Sequence, residues 1–513
     1  MRRKRALLNM MAMITYQGAA MICSFVIQRM WISHYGSELV GIVVSITKFI
    51  SFITLLEAGV GSIIAASLYK PLAEQDSKGI SIIVKASNRF FRGIAFILIG
   101  YIIVLGVFLP RITDIPGLGN VYVFFLTASI GISSIIQYYF GMTHQLLLQA
   151  DQKQYIPTAL NILTVLANTL IVVILVISDA DIIWIKLMSS VVYIVKPIFL
   201  YIYCRQTYHI NKAVSYQIDP IKQKWSGIGH HISFIIHTST DITLLTMLGQ
   251  YSSITVYMVY AMIVGSLTSI IDCVSSGVQA AFGNVIALKE GEVLNRSFKV
   301  FEAIIHICVV TFFGTAAFTI LPFMHIYTKG IADTQYILPV FAVLMVLQEA
   351  LFCLRRPYLT VIHAAGHYKQ TQLSAYAEAG INIVVSVLLI RRYGLAGIAF
   401  GTFVAMAFRL FYSVIYIGKQ ILLRKKIYFI RCILADLISI AIMTGAYLWL
   451  FSHQANEGYL EWALTALLTM LVLLTVTLGV YWLINREAVR LVREEIRTTV
   501  SVLWKGNSQG KGH

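Results

Sequence analysis

The chain has 513 residues, of which 58% are hydrophobic and only 12% charged, against roughly 25% charged in a soluble globular protein. That composition excludes an ordinary soluble domain. The formal net charge of +17 raises the question of nucleic acid, which the placement of the charges along the chain answers below.

Apolar runs follow one another almost without pause, each long enough to cross the ~30 Å hydrocarbon layer as a helix. We predict about fourteen, at 8–30, 39–66, 93–110, 121–142, 157–178, 182–203, 230–249, 252–284, 300–322, 336–354, 371–390, 395–417, 431–451 and 461–484. The runs are continuous rather than alternating, and backbone groups cannot stay unpaired in lipid, so helices are favoured over a barrel. The expected fold is an all-α polytopic membrane protein. Its first run ends at Gln28-Arg29 without a small-residue cleavage site, so it reads as a span rather than a signal peptide.

In chain order, residues 1–203 form a six-helix lobe and 204–229 a cytoplasmic linker. A second six-helix lobe occupies 230–417, two further spans 418–484, and an amphipathic tail 485–513. The two lobes read as like-oriented repeats. FITLLEAGVGSIIAA (52–66) recurs as LTSIIDCVSSGVQAA (267–281), which matches Glu57 with Asp272. YIVKPIFLYIY (193–203) aligns with AMAFRLFYSVIY (405–416), which places Lys196 opposite Arg409. Paired repeats of this kind are a recurrent plan for transporters. The outer loops are too short to hold a domain. Segment 70–92 and its repeat-mate 285–299 are expected to form short amphipathic helices along the cytoplasmic interface. In the tail, Val489, Val492, Ile496 and Val500 share one helical face.

Of the 40 Lys and Arg residues, only Arg29, Arg111, Lys329, Arg391 and Arg392 fall in outer segments, and Lys48, Lys186, Lys196 and Arg409 fall within spans. All the others lie in inside segments, a positive-inside pattern that puts both termini in the cytoplasm. The basicity is therefore topological, and no nucleic-acid partner is expected. Six cysteines sit singly in or beside spans without CxxC or Cys/His ligand spacing, so they read as small apolar fillers and no metal site is expected.

Ionisable groups inside spans are costly and mark pathways or pairs. Lys48 lies roughly 14 Å deep and Lys196 and Arg409 roughly 20 Å, counted at 1.5 Å per residue. One account has these three facing an internal cavity that attracts an anionic headgroup, Arg by its bidentate fork and Lys as a point charge. In the other, Lys196 and Arg409 snorkel to the inner headgroups. Arg29 either guards the outer mouth or anchors to outer headgroups. The acids are Glu57, Asp241, Asp272, Glu349 and Glu378, with His237 and His306 nearby in sequence. Asp241, Asp272, Glu57 and Glu378 are candidates for binding a coupling proton or sodium ion or for gating; interhelical polar contacts are the alternative. Glu57 and Asp272 adjoin Gly59, Gly61 and Gly277, where a helix can flex or pack closely. No nucleophile elbow, HExxH or P-loop is present, so no catalytic residue is assigned.

LLEAGVGSI (55–63) followed by LYKPLAEQD (68–76), ADQKQYI (150–156), TDITLL (240–245), VYMVYAMI (256–263) and FGNVIALKEGE (282–292) resemble the Wzx-type polysaccharide flippases. These belong to the superfamily that also holds the MATE exporters and MurJ. The resemblance implies two six-helix lobes in a V shape. It also implies alternating-access movement of undecaprenyl-diphosphate-linked oligosaccharide to the outer leaflet of a bacterial plasma membrane. The implied partners are the lipid-linked oligosaccharide, membrane lipids and polysaccharide-assembly proteins, with a monomer as the default; no cofactor is implied beyond a coupling ion. A lipid II flippase and a MATE-like cation-coupled exporter are the nearest alternatives. A membrane glycosyltransferase is disfavoured by the short outer loops.

Overall fold

The structure is a computed structural model that describes residues 2–57, 59–113, 118–211, 214, 228–275, 278–451, 458–494 and 497. The described elements are helical throughout. In the first part of the chain these are α1 Arg2–Ser51, α2 Val60–Ala73, α3 Ser77–Thr113, α4 Asn120–Ile136, α5 Met142–Ala150, α6 Tyr155–Ile177 and α7 Ile182–Thr207. Then come α8 Ile228–Met247, α9 Tyr251–Ser275, α10 Val278–Ala287, α11 Gly291–Tyr327, α12 Pro339–Leu354, α13 Arg356–Ala364, α14 Tyr368–Gln420, α15 Ile427–Phe451 and α16 Tyr459–Ile484. Among the described residues ten helices are long and apolar enough to cross a membrane. The chain is a multi-pass membrane protein.

α1 and α14 hold 50 and 53 residues, so each would measure roughly 75–80 Å if straight, more than twice the hydrocarbon core. Each breaks once at glycine, α1 at Gly36 (φ 77, ψ 163) and α14 at Gly394 (φ 54, ψ −130), conformations that a Cβ disfavours. The first break is held by Asp333, whose Oδ2 accepts a hydrogen bond from Ser37 N at 2.5 Å.

Apart from Gly59 and Gly330, the positive-φ turns of the described residues recur at one spacing. Positive φ occurs at Gly36, Gln75, Gln152, Asp179 and His209, and again at Gly249, Lys289, Gly366, Gly394 and Leu423. Taken in order, each pair is separated by 213 to 215 residues, the spacing of the sequence repeat. The resembling motifs fall on these turns. LYKPLAEQD and FGNVIALKEGE carry the matched turns at Gln75 and Lys289, and ADQKQYI carries the turn at Gln152. That last turn is stapled from both sides: Asn9 Nδ2 donates to Gln152 O (3.1 Å) and Tyr208 OH donates to Asp151 (2.5 Å). Tyr208 lies at the end of α7, where burial and this bond to Asp151 hold its phenol well above the usual range.

Three predicted elements are corrected. The run 39–66 is not one helix: α1 ends at Ser51, a 3₁₀ turn covers Phe52–Leu56, and Gly59 (φ 79) opens α2. The run 336–354 stands as α12, which turns at Arg355 directly into α13. Residues 77–92 and 291–299 are not separate interfacial helices. They are the first turns of α3 and α11, which are 37 residues long each. In α11 no glycine or proline separates the amphipathic start from the apolar continuation, and in α3 the helix runs through Gly93 unbroken.

By packing, the chain divides into two compact units, Met1–Val259 with Gly330–Thr334, and Tyr260–Lys329 with Gln335–His513. The division falls within α9. Most of the predicted linker 204–229 lies outside the described residues. In the first unit, Gly41 on α1 lies against the start of α9, where a Cβ would come within 2.0 Å of Tyr251 O and 2.6 Å of its carbonyl carbon. Small residues allow this approach where lipid supplies no hydrophobic drive between helices. Gly41→Ala is expected to cost at least about 1–3 kcal/mol, because backbone must move. A thermal melt of the purified protein in detergent checks this.

In the second unit, α15 and α16 pack on α11 through Ala303, Cys432, Ala435, Val480 and Tyr481, and farther along through Val310, Met443 and Leu473. Polar clamps reinforce the seam. His306 Nδ1 lies 2.6 Å from Asp436, whose other oxygen accepts from Tyr481 OH at 2.7 Å. Arg424 contacts both Glu302 oxygens at 2.6 and 2.7 Å, and Tyr358 OH donates to the same carboxylate. After α16 a helical turn at 486–494 presses Val489 and Val492 onto this core. Ile496 and Val500 lie outside the described residues. All six cysteines are unbridged.

Candidate functional site

Apart from Lys186 of α7, which lies over the Trp31 ring at 3.9 Å, the charges that the sequence places within spans fall into three groups, two in the first unit and one in the second. Lys48 lies one turn before the end of α1, half-buried. Asp241 of α8, buried at 2% exposure, acts electrostatically on Lys48 and accepts a hydrogen bond from Tyr257 OH of α9 at 2.8 Å. Beside them Thr246 of α8 bonds Ser45 of α1 at 2.9 Å. The sequence assigned Lys48 to a headgroup and Asp241 to an ion; the structure brings the two to one place.

The second group surrounds a π-helical turn, Gln137–Gly141, between α4 and α5. Such turns insert one residue into a helix and recur at functional sites. Glu57, at the break after α1, accepts from Tyr138 OH at 3.1 Å. Lys196 of α7 donates to Gln145 Oε1 at 3.0 Å, and Gln137 reaches the same oxygen at 3.4 Å. Pro197 sits against Gly141, where a Cβ would meet it at 3.0 Å. Lys196 is thus held by a neutral amide inside the unit, and its charge has no acid beside it in this group.

The third group is denser. Glu378 on α14 accepts a hydrogen bond from Arg355 Nη1 at 2.8 Å, and Arg409 Nε lies 3.4 Å from its other oxygen as an ion pair without a hydrogen bond. Arg409 also donates to Ser374 Oγ and to Thr371 O (3.3 Å). Exposure is 5% for Glu378, 6% for Arg355 and 3% for Arg409, so Arg409 is enclosed by protein. At the turn between α12 and α13, Arg356 contacts Asp272 at 2.7 Å and stacks over Phe352 at 4.5 Å. Glu349 accepts from Thr268 at 3.1 Å. The repeat-matched acids Glu57 and Asp272 are therefore both held from the broken fourth span of their unit, by Tyr138 and by Arg356.

Arg29 is half-buried on α1 and belongs to none of these groups. His306 is committed to Asp436. The His237 side chain and Gly277 lie outside the described residues. Arg355 and Arg356 were missed in the sequence because they follow an apolar run and count there as loop charges. Pro357 directly after them was the usable signal, since proline is favoured in the first turn of a new helix.

No family model matches the chain, and no curated protein matches it. Among solved structures, lipid II flippase MurJ in an inward closed conformation is similar with a TM-score of 0.65 at 14% identity, covering 94% of this chain and 99% of that one. An inward-facing multidrug resistance MATE family transporter of the MOP superfamily gives 0.60 at 14% identity, over 79% of this chain and 98% of that one. A eukaryotic MATE transporter gives 0.58 at 14% identity, over 81% and 95%. The chain has the fold that these MOP-superfamily transporters share.

Proposed function

We propose that this chain is a flippase that moves undecaprenyl-diphosphate-linked oligosaccharide units from the cytoplasmic to the outer leaflet of a bacterial plasma membrane, for surface polysaccharide assembly. The observation that carries this is the half-buried intramembrane cations Lys48 and Lys196, within a fold matched to MurJ over 94% of the chain. Taking an ion out of water costs several kcal/mol or more. Fixed cations lower that cost for a diphosphate, while a prenyl tail stays in lipid.

In this reading α1 and α14 count as two spans apiece, the other eight long apolar helices as one, and α8 and α12 complete fourteen. Both termini are cytoplasmic, the transport cycle is alternating access, and the Lys48–Asp241 pair responds to a coupling proton or sodium ion. Residues 1–203 and 230–417 act as the two lobes, and 418–484 as an addition. Lipid II itself is the second reading, supported by the MurJ likeness. The two substrates share the diphosphate and the lipid tail and differ in sugar.

Flipping in proteoliposomes tests this. The expected result is movement of a lipid-diphosphate oligosaccharide and no movement of an organic-cation dye. Transport of lipid II in preference to the oligosaccharide selects the second reading, and dye transport alone sinks both.

A further inference from the structure

α3 and α11 begin 214 residues apart and have equal length, with Lys85 matching Lys299 and Gly100 matching Gly314. One stripe of α3 carries Lys85, Arg89, Arg92 and Phe96, at i, i+4, i+7 and i+11, a single helix face. The corresponding stripe of α11 is Lys299, Ala303, His306 and Val310. In the second unit that stripe is covered by α15, α16 and the 486–494 helix. Glu487 reaches Lys299 at 2.8 Å, Asp436 reaches His306 at 2.6 Å, and Ala303 and Val310 sit in the apolar seam. This face of α11 therefore takes acidic groups at Lys299 and His306 and an apolar body at Ala303 and Val310.

In the first unit the matching stripe lines an open cavity of about 720 Å³, to which α7 adds Tyr201 and Arg205. No carboxylate is among the described lining residues. Nε of Arg92 is buried without a hydrogen-bond partner, and Arg92 stacks over Tyr139 at 4.6 Å. Beyond Phe96 the α3 face continues as exposed Ile103 and Val107, a surface for hydrocarbon rather than for water.

We infer that this cavity binds the phosphate headgroup of an anionic phospholipid, whose acyl chains lie along α3 where α15 and α16 lie along α11. The leaflet is the one at the start of α3, cytoplasmic in the topology proposed above; the site does not depend on which substrate is transported. Basic pockets between spans on that side are suited to such headgroups, with each Lys or Arg contributing roughly fivefold in affinity. A free phosphate would use the cations and ignore the apolar stripe.

The test is native mass spectrometry of the full chain in detergent, titrated with phosphatidylglycerol or phosphatidylcholine. The expected result is one phosphatidylglycerol retained roughly 100-fold more tightly than by the Arg89→Gln/Arg92→Gln/Arg205→Gln variant, with phosphatidylcholine weak on both. Arg205→Gln alone, an exposed change on α7, should lose about fivefold and serves if the triple variant does not fold. Equal retention of phosphatidylglycerol by wild type and variants overturns the site. So does equal retention of the two lipids, and displacement by inorganic pyrophosphate at matched concentration makes the ligand a soluble anion instead of a lipid.

Discussion

Glu378→Gln is expected to be the most damaging single substitution among the intramembrane charges, lowering stability by roughly 3–5 kcal/mol. The carboxylate stands between two guanidinium groups, Arg355 at 2.8 Å and Arg409 at 3.4 Å, all three nearly without exposure. Removing this carboxylate takes from both buried guanidinium groups the acid that they share. Arg409→Gln should be much milder, because Glu378 keeps its shorter bond to Arg355 and the cluster becomes neutral. The double change Glu378→Gln/Arg409→Gln should fall between, with Arg355 alone uncompensated. Neighbouring changes in one network are non-additive, so the order of the three variants is the readout. Thermal melts in detergent measure it. A Glu378→Gln protein as stable as the parent, or an Arg409→Gln protein less stable than Glu378→Gln, would show that the cluster is not held by its central acid. Arg409→Gln then has a second use: a folded variant with slowed flipping places Arg409 in transport, and unchanged flipping leaves it structural.

That asymmetry was beyond the reach of the sequence, and the reason is specific. Glu378 and Arg409 were both legible as intramembrane charges, but they were given separate tasks. They meet only because α14 folds back at Gly394, and Gly401 brings its second half close against Ser386. Arg355 was hidden because a hydropathy run reports where apolar residues stop, whereas the chain here turns into α13 without leaving the protein. By contrast, the repeat spacing was legible from short apolar matches, and five pairs of positive-φ turns, from Gly36 and Gly249 to His209 and Leu423, recur at the same spacing. Turn conformations depend on local residues, so they survive in sequence. The clamps of Glu302 to Arg424 and of His306 to Asp436 join residues more than a hundred positions apart. Nothing local marks such pairs, and span counting alone placed α15 and α16 outside the repeat without saying what holds them there.

Lys48→Gln is expected to lower flipping by roughly 10- to 100-fold with normal amounts of folded protein, the equivalent of one charge-assisted hydrogen bond of about 1.5–3 kcal/mol to the moving anion. Lys48 is half-buried, and the buried Asp241 acts on it electrostatically. The lysine can therefore shift between that acid and a passing phosphate, which a rigid, fully enclosed arginine such as Arg409 cannot do without opening its cluster. Asp241→Asn keeps an acceptor for Tyr257 OH and removes only the charge. It should change how flipping depends on a proton or sodium gradient, because Lys48 then has no acid to return to. The double variant separates a shared role from two independent ones. If the pair works as a unit, Lys48→Gln/Asp241→Asn should be no slower than the worse single variant, since groups acting together lose function once. Multiplying defects would mean that Lys48 and Asp241 act at different steps. Loss of folded protein in Asp241→Asn, with no change in gradient dependence in whatever remains, would make Asp241 a packing contact between α8 and α9 and return the coupling ion to Glu57 or Asp272.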